Sequence, residues 1–268
     1  MILQSYDFQQ LNKTQGCTLQ IGGSDQWGNI VGGTELTRRM NREQVFGLTM
    51  PLITKADGTK FGKTESGTIW LDPSKTSPYA FYQFWLNTAD ADVYKFLRYF
   101  TFLPIEQISQ IEADDAATQG RPQAQSVLAE EVTRLVHKEE GLQAAERITQ
   151  ALFSGDTSGL SKNDYEQLAL DGLPSLEIAD KDLTEMPLTQ LLVEAGLAAT
   201  GKQVKDALQR NSVFVNERSV GMSDNWRSSE SFFYLEDGAF GKYFIVRMGR
   251  KKHALLKRSL FVEETPKE

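Results

Sequence analysis

The sequence has few of the residues on which disulfides and metal clusters depend. It contains one cysteine, Cys17, and two histidines, His137 and His253. One cysteine cannot close an intramolecular disulfide, and these three residues are too few for a Cys/His zinc cluster. We therefore expect no dedicated protein metal site and a reducing, cytoplasmic setting.

Long apolar runs are missing as well. No stretch reaches the roughly 20 apolar residues of a membrane-spanning helix, and Met1–Asp7 does not combine a basic region with a long apolar run. The sequence predicts neither a membrane span nor a signal peptide. With 268 residues, 40% apolar and 24% charged, the chain has the composition of a globular protein of one to three domains.

Negative charge dominates the chain, which has a formal net charge of −7, but it is unevenly distributed. Residues 201–260 hold 12 lysines and arginines against 6 acidic residues, a net charge of +6, and the remainder carries −13. A basic module attached to an acidic body is typical of an RNA-binding appendix. A solvated basic surface without a ligand is the alternative.

The first part of the chain has the pattern of an α/β sheet. Leu19–Gly23 is a short apolar run that ends in glycines, and Asp25–Met40 follows with the pattern of a helix. A second apolar run, Phe46–Ile53, precedes a loop with the turn dipeptide Asp57-Gly58. These features predict the last strands of an α/β sheet.

The middle of the chain has helical periodicity. An aromatic-rich helix is expected after Ser77-Pro78, and further helices are expected at Val93–Phe102, Ile105–Ala113, Gln123–His137 and Leu142–Phe153. We therefore predict an all-helical domain over residues 73–170. Residues 171–186 lack clear periodicity and contain glycine and proline, so they are interpreted as a linker.

The last part predicts a small α+β module over residues 187–262 with a tail over 263–268. A helix should begin after Pro187 and stop at Gly196, and a second should begin at Gly201. Val213–Asn216 has the pattern of a strand, and Gly241–Leu256 that of a hairpin with a basic tip. The predicted fold class is multidomain, with α/β, all-α and α+β parts.

Two lysines lie three residues apart on a glycine-containing loop, Lys60-Phe61-Gly62-Lys63-Thr64. Mobile ammonium groups suit ATP, because negative charge accumulates on the leaving pyrophosphate when the α-phosphate is attacked. Lysines beside glycine in a turn are also common on solvated loops. The five residues alone leave both interpretations open.

A second motif, Gln20–Asn29, contains Gly22-Gly23-Ser24-Asp25-Gln26 where the predicted strand meets the helix. Glycines there let a ligand approach the backbone, and Asp25 could accept hydrogen bonds from ribose hydroxyls. The alternative is a tight turn in which Ser24 or Asp25 caps the helix.

Together, Gly22–Asn29 and Lys55–Thr64 resemble bacterial tyrosyl-tRNA synthetases. Lys60–Thr64 is similar to the second signature loop of class I synthetases in general, and its flanks are more family-specific. The resemblance implies the C-terminal half of a Rossmann-like catalytic domain over residues 1–72 and an anticodon-binding-type helical domain over 73–170. It also implies an S4-like RNA-binding domain over 187–262.

The resemblance also implies roles for individual residues. Tyrosine would be bound by Gln4, Asp7, Gln20 and Gln26. ATP and the adenylate would be bound by Gly22, Gly23, Asp25 and Lys63, and catalysis would depend on Lys60, Lys63 and Thr64. The RNA-binding candidates are Lys202, Lys205, Arg210, Arg218, Arg247, Arg250, Lys251 and Lys252. From the residues alone, Gln4 and Asp7 are better explained as solvated positions on one helix face.

The activity that the resemblance implies is tyrosine–tRNA ligation, with tyrosine, ATP accompanied by Mg²⁺, and tRNA(Tyr) as partners, in a homodimer. One departure stands out. The family's first signature, a His-Ile-Gly-His-like tetrapeptide, is expected far before Gln4, and neither His137 nor His253 has that context. The family also has a second tyrosine in its amino-acid pocket, a few residues before Gln4, and this sequence has no tyrosine before Gln4. The sequence therefore predicts a truncated, inactive part of the enzyme, or alternatively an RNA-binding fragment without catalysis.

Overall fold

The computed structural model describes residues 1–59, 61–64, 67–250 and 252–259. For Lys63, Thr64, Gly67, Leu235 and residues 180–182 it describes the backbone only. The chain forms two compact units, Met1–Thr68 and Ile69–Glu268. Both the segment predicted as the helical domain and the segment predicted as the C-terminal module therefore lie within the second unit.

The first unit is built on a parallel β–α–β arrangement. Its elements are α1 (Ile2–Gln15), β1 (Leu19–Gly23), a 3₁₀ turn (Ser24–Gln26), α2 (Trp27–Asn41) and β2 (Phe46–Met50). β1 and β2 pair in parallel, from Leu19 opposite Phe46 to Gly23 opposite Met50. The predicted strand, glycine turn and helix are confirmed, although a 3₁₀ turn occupies the first residues assigned to the helix.

Helix α1 packs closely on α2 because α2 presents glycines to it. A Cβ atom on Gly32 would lie 2.7 Å from Ser5 Oγ, and one on Gly33 would lie 2.9 Å from the Phe8 ring. Side chains larger than hydrogen at these two positions would push the helices apart. The glycines therefore set the distance between α1 and α2.

A group of amide side chains fixes the far end of the same helix pair. Gln9 Nε2 donates to Asn41 Oδ1 at 2.5 Å, and Asn41 Nδ2 donates to Asn12 Oδ1 at 2.7 Å. Gln9 and Asn12 are buried, so these bonds satisfy polar groups that would otherwise be costly. They determine the rotation of α1 about its own axis.

The chain after β2 forms a turn and a short hairpin. Lys55 N donates to Thr59 O at 2.9 Å, and Gly58 has a φ of 82°, so the predicted turn at Asp57-Gly58 is confirmed. Two-residue strands β3 (Lys63–Thr64) and β4 (Gly67–Thr68) pair antiparallel.

Helices fill the first part of the second unit. They are α3 (Pro78–Leu86), α4 (Asp90–Phe100), α5 (Ile105–Ala117), α6 (Ala124–Ser154) and α7 (Lys162–Gln167). Within α6, Lys138 has a non-helical backbone, with φ 59° and ψ −175°. This break lies between the two helices that the sequence predicts at Gln123–His137 and Leu142–Phe153.

The interpretation of residues 171–186 as a linker is wrong. After a π-helical turn at Leu168–Gly172, this segment forms β5 (Ser175–Ala179) and α8 (Asp180–Glu185). Strand β5 pairs in parallel with β9 (Lys252–Ser259). The partner strand is distant in sequence, so local periodicity could not reveal the pairing.

The remaining elements complete a five-stranded sheet. They are α9 (Leu188–Glu194), α10 (Gly201–Gln209), β6 (Val213–Val215), β7 (Arg218–Val220) and β8 (Tyr243–Met248), and the strand order is β5-β9-β8-β6-β7. The predicted helices after Pro187 and at Gly201 are confirmed. β8 and β9 form the predicted hairpin, from Tyr243 opposite Lys257 to Met248 opposite Lys252.

Both faces of this sheet are buried. One face packs on the helices that follow β5, and the other packs on the helices of the first part of the unit. Phe244, Val246 and Leu256 belong to the first cluster, with Leu191 and Val204. Tyr243, Ile245 and Leu255 belong to the second, with Tyr79, Ile148 and Tyr165. The helical segment and the C-terminal sheet therefore share a hydrophobic core.

Within the part of the chain that the structure describes, no helix combines the length and apolar character that crossing a membrane requires.

Candidate functional site

The turn between β1 and α2 has room only for glycine. A Cβ atom on Gly22 would lie 3.0 Å from Gln26 Cβ and 3.2 Å from Ile30 Cδ1. One on Gly23 would lie 2.7 Å from Asp25 Oδ1 and 2.8 Å from Leu52 Cδ2. The backbone at the end of β1 is therefore held close to these side chains, and a ligand can approach it without meeting a side chain of the glycines themselves.

The polar side chains of this turn form a short chain of hydrogen bonds. Gln26 Nε2 donates to Asp25 Oδ2 at 3.2 Å, and Asn29 Nδ2 donates to Gln26 Oε1 at 2.9 Å. Neither Ser24 nor Asp25 caps a helix: Gly23 is the N-cap of the 3₁₀ turn, Gln26 is that of α2, and neither makes a side-chain cap bond. Asp25 is exposed, so its carboxylate can accept hydrogen bonds from a ligand.

Gln20 supplies a second acceptor beside this turn. Its Oε1 atom is buried and has no hydrogen-bond partner among the residues that the structure describes. A buried amide oxygen without a donor is costly, and such exceptions call for an explanation such as a bound ligand. An amine or hydroxyl donor would satisfy it.

Gln4 and Asp7 lie on α1, beside its buried face. Gln4 is half-buried and Asp7 is exposed, whereas the neighbouring Ser5 and Phe8 contact α2. Among the described residues, no hydrogen bond joins either side chain to the β1–α2 turn. The structure thus places Gln20 on β1, just before the turn, and Gln4 and Asp7 on α1.

The lysine loop is only partly described. Lys60 lies outside the described residues, and for Lys63 and Thr64 the structure gives only the backbone of β3. Before them, Thr59 Oγ1 and Thr59 N donate to Asp57 Oδ1 at 2.6 Å and 2.8 Å. These hydrogen bonds lower the pKa of Asp57, which remains ionised and holds the turn that precedes the lysines.

Several basic side chains in the C-terminal part are fixed near the tip of the β8–β9 hairpin. The Arg247 guanidinium lies 3.8 Å from the centroid of the Phe214 ring, and its NH1 atom donates to Gly249 O at 2.7 Å. Lys252 Nζ donates to Leu197 O at 3.2 Å. Stacking and backbone contacts of this kind orient the cations without neutralising them.

The end of α10 reaches the same hairpin. Gly249 N donates to Ser212 O at 2.8 Å, just after α10, and Arg210 Nε donates to Asp206 O at 3.0 Å. The structure therefore joins the hairpin tip to the basic end of α10.

The other predicted RNA-binding residues are exposed. Lys202 and Lys205 lie on α10, Arg218 lies on β7, and Arg250 follows β8; Lys251 lies outside the described residues. Within the described ranges, no ion pair neutralises these cations or Arg210, Arg247 and Lys252. The surface is consistent with an anionic ligand.

Sequence analysis missed the aromatic residues that position these cations. Phe214 lies under Arg247, and Trp226 lies 5.2 Å from Lys205 Nζ and 4.7 Å from the Arg227 guanidinium. The adjacent pair Trp226-Arg227 in a basic region was a usable signal, because aromatic rings interleaved with basic residues are typical of nucleic-acid-binding surfaces.

Over the described ranges, no group of three or more histidine, cysteine, aspartate or glutamate side chains is arranged to hold a metal ion.

Comparison with known proteins gives two family matches. Residues 1–154 match the family "tRNA synthetases class I (W and Y)". Residues 164–256 match the "Tyrosine–tRNA ligase SYY-like C-terminal domain". The first match covers more than half of the chain and includes the β1–α2 turn.

Individual relatives agree with the family matches. The chain is 59% identical over 251 residues to the tyrosine–tRNA ligase of Aliivibrio fischeri strain MJ11, covering 94% of this chain and 57% of the relative. It is also 59% identical over 258 residues to tyrosine–tRNA ligase 1 of Vibrio parahaemolyticus, covering 96% of this chain and 58% of the relative. The chain thus spans less than two thirds of the length of these relatives.

Among solved structures, the chain is 33% identical to a C-terminally truncated mitochondrial tyrosyl-tRNA synthetase of Aspergillus nidulans, with a TM-score of 0.48 over 56% of this chain and 43% of that one. No structural conclusion follows from that overlap. The two family matches and the bacterial relatives show that the chain belongs to the class I tRNA synthetases (W and Y) and, within them, to the tyrosyl-tRNA synthetases.

Proposed function

We propose that this chain carries part of the tyrosine-activating site and the tRNA-binding appendix of a tyrosine–tRNA ligase. The reaction joins tyrosine and ATP to give tyrosyl-adenylate and pyrophosphate, and then transfers the tyrosyl group to tRNA(Tyr). The observation that carries the proposal is the glycine turn between β1 and α2 with its exposed Asp25 carboxylate, preceded on β1 by the buried, unpartnered Gln20 oxygen.

In this proposal the turn binds the adenylate and part of the tyrosine. The Gly22-Gly23 backbone lets the adenylate approach, and Asp25 accepts hydrogen bonds from the ribose hydroxyls. Gln20 accepts a hydrogen bond from the substrate, and Gln26, already bonded to Asp25 and Asn29, is held in place beside it.

Helix α1 contributes the rest of the tyrosine contacts. Gln4 serves the amino group and Asp7 the phenolic hydroxyl, and the glycine packing of α1 on α2 sets their distance from the turn. A substrate without the hydroxyl would leave Asp7 unpaired. Tyrosyl-tRNA synthetases are themselves the established example of such discrimination against phenylalanine, which amounts to about 10⁵-fold.

Catalysis would be electrostatic, with no covalent intermediate on the protein. Lys60 and Lys63 would stabilise charge that develops on the phosphates, and Thr64 would add a hydroxyl donor. Mg²⁺ would arrive with ATP as part of the substrate and reduce the charge on the departing pyrophosphate.

The test of the lysine assignment is Lys63→Ala in a catalytically competent context, with Lys13→Ala as the matched control. Lys13 is an exposed lysine at the end of α1. We expect Lys63→Ala to lower the rate of adenylate formation by about 10²–10³-fold and to change tyrosine affinity little, because the charge it complements develops only in the transition state. Equal losses in rate and affinity would contradict this role.

We further propose that the 268-residue chain alone does not sustain ordinary tyrosine-dependent pyrophosphate exchange. Asp25 is exposed, and the chain spans 57% of the length of the Aliivibrio relative. The measurement is exchange by the chain alone and by the chain mixed with a polypeptide matching the remainder of that relative. Ordinary turnover by the chain alone would reject the proposal.

The alternative is an RNA-binding fragment without catalysis, and the unpaired cations of the C-terminal part favour an RNA-binding role in either case. We propose that this part is an S4-like module that contacts tRNA phosphates and shape more than base edges, in a cytoplasmic, homodimeric enzyme. Affinity should fall steeply with salt. Reversing Arg250, Lys251 and Lys252 to glutamate should abolish binding in a gel-shift titration; unchanged affinity would reject the RNA-binding role.

A further inference from the structure

Two cations converge on one indole ring in the C-terminal part of the chain. Lys205 Nζ, from α10, lies 5.2 Å from the centroid of the Trp226 ring, and the Arg227 guanidinium lies 4.7 Å from it. Lys205 and Arg227 are exposed, and Trp226 is half-buried against the core. We call these three residues the Trp226 clamp.

The loop that carries Trp226 is fixed by hydrogen bonds to elements on both sides. Leu188 N, at the start of α9, donates to Trp226 O at 3.0 Å. The fully buried Ser229 donates through Oγ to Met186 O at 2.6 Å. At the other end of the loop, Gly221 N donates to Asp224 Oδ2 at 2.8 Å. The indole ring is therefore already in position before any ligand arrives, which lowers the entropy cost of binding.

Within the described residues, no acidic group forms an ion pair with the two cations of the clamp. Over the same ranges, neither Lys205 nor Arg227 donates to a carboxylate; one oxygen of the nearby Asp224 carboxylate, Oδ2, accepts the backbone N–H of Gly221. Cation–π contacts orient positive charge and leave it uncompensated. Two cations held at one ring favour an anion that can bind both.

We propose that the Trp226 clamp binds a phosphodiester group of the RNA, as an extension of the basic surface on α10. The inference rests on the RNA-binding role proposed above and adds Trp226 and Arg227 to it. Lys202 lies on the same helix as Lys205, so a nucleic-acid backbone that follows α10 would reach the clamp. The indole orients Lys205 and Arg227, and their N–H groups donate to the phosphate oxygens.

The experiment compares the double variant Lys205→Gln/Arg227→Gln with Lys242→Gln in titrations of unmodified tRNA(Tyr) across salt concentrations. Lys242 is a matched control, because its Nζ also lies over an aromatic ring, 4.8 Å from the centroid of Tyr243, at the opposite end of β8 from the hairpin tip. Each lost phosphate contact should reduce the slope of log affinity against log salt by roughly 0.7–0.9. Since the clamp holds one phosphate, we expect the double variant to lose roughly 0.7–0.9 in slope and the control to keep the wild-type slope.

A second readout uses Trp226 itself. The tRNA titration should change the fluorescence of the wild type, Trp226→Phe should remove most of that change, and the double variant should reduce it. Circular dichroism of each variant establishes that the fold is retained. A wild-type slope in the double variant, or a fluorescence response that survives Trp226→Phe, would overturn the clamp and leave the RNA-binding proposal standing. A wild type that binds no tRNA at any salt concentration would overturn both.

Discussion

The β1–β2 pair of the first unit and the β8–β9 pair of the second unit both carry large apolar side chains, yet the surroundings of these side chains differ. Ile21 is 55% exposed and Phe46 is 57% exposed, whereas Tyr243 is 3% and Ile245 is 5% exposed. The second pair has a helical layer on each face. The first pair packs against α2, where Ile30 contacts Gly22 and Gly47.

The difference shows what a strand's sequence does and does not specify. A nearly continuous apolar run indicates a strand suited to burial on both faces. It does not specify which element covers each face. In the second unit the covering helices belong to the described chain. In the first unit, residues such as Leu48 remain exposed within it, and an exposed apolar surface of this kind favours association with other molecules.

The largest expected effect comes from replacing an isoleucine with alanine in each of the two strand pairs. Ile245→Ala should destabilise the second unit by about 2–5 kcal/mol, because it removes buried methyl groups and leaves a cavity. Ile21→Ala should change the free energy of unfolding by no more than about 0.5 kcal/mol, because the side chain is already exposed. Urea unfolding followed by circular dichroism gives both values. Equal losses would mean that the two sheets do not differ as described.

A smaller effect concerns an ion pair in the helices that pack on one face of the five-stranded sheet. Asp164 is buried and accepts hydrogen bonds from Arg147 Nε and NH2, both at 2.8 Å, and from Ser161 N at 2.8 Å. Burial raises the pKa of Asp164, but these hydrogen bonds outweigh it and hold the pKa below its usual range. The ionised carboxylate therefore stabilises the fold fully at pH values above the pKa that Asp164 has in the unfolded chain. This contribution is lost as the pH falls through the lower pKa that Asp164 has in the folded protein.

The corresponding test is Asp164→Asn. At neutral pH it should reduce the free energy of unfolding by about 1 kcal/mol. The effect is modest because Arg147 is half-exposed, and solvent weakens its charge-assisted hydrogen bonds to Asp164. The gap between variant and wild type should close at strongly acidic pH. Thermal unfolding at several pH values measures this, and a gap that stays constant from neutral to acidic pH would assign the effect to packing instead of charge.

The smallest expected effect is on association of the first unit. Ile21 and Leu48 are opposite each other in the β1–β2 register, so Ile21→Lys/Leu48→Lys should break their apolar surface and lower both hydrophobic-dye fluorescence and self-association. Phe153→Lys is the control, because Phe153 is exposed in the second unit. Light scattering with dye titration compares them. If the control lowers both signals as much, the first sheet is not their source.

Much of the fold follows from local sequence. The β1–α2–β2 arrangement was predictable because the first apolar run ends in glycines and a helical pattern separates it from the second apolar run. The break at Lys138 coincides with the gap between two periodic segments. Strand β5 was missed because its partner β9 lies far along the chain. The alternation of Leu176 and Ile178 with polar neighbours was present, but alternation alone does not identify a partner.

The candidate site was predictable only where a short motif contains several of its residues. Within the contiguous Gln20–Gln26 segment, the structure shows contacts of Gln26 with Asp25 and close approach of Gly22 and Gly23 to these two side chains. The contact of Lys205 with Trp226 depends on the packing of a loop against α10, which no local pattern specifies. The roles of all these residues remain predictions.

The pairing of β5 with β9 has a consequence for the order of events during synthesis. Strand β9 emerges from the ribosome roughly seventy residues after β5, which takes several seconds at about 5–20 residues per second. Until then, β5 has no partner strand, and the surface around Tyr79 and Ile148 lacks Leu255. For those seconds the five-stranded sheet of the nascent second unit lacks β9. The helices that were synthesised earlier therefore cannot yet pack against the complete sheet.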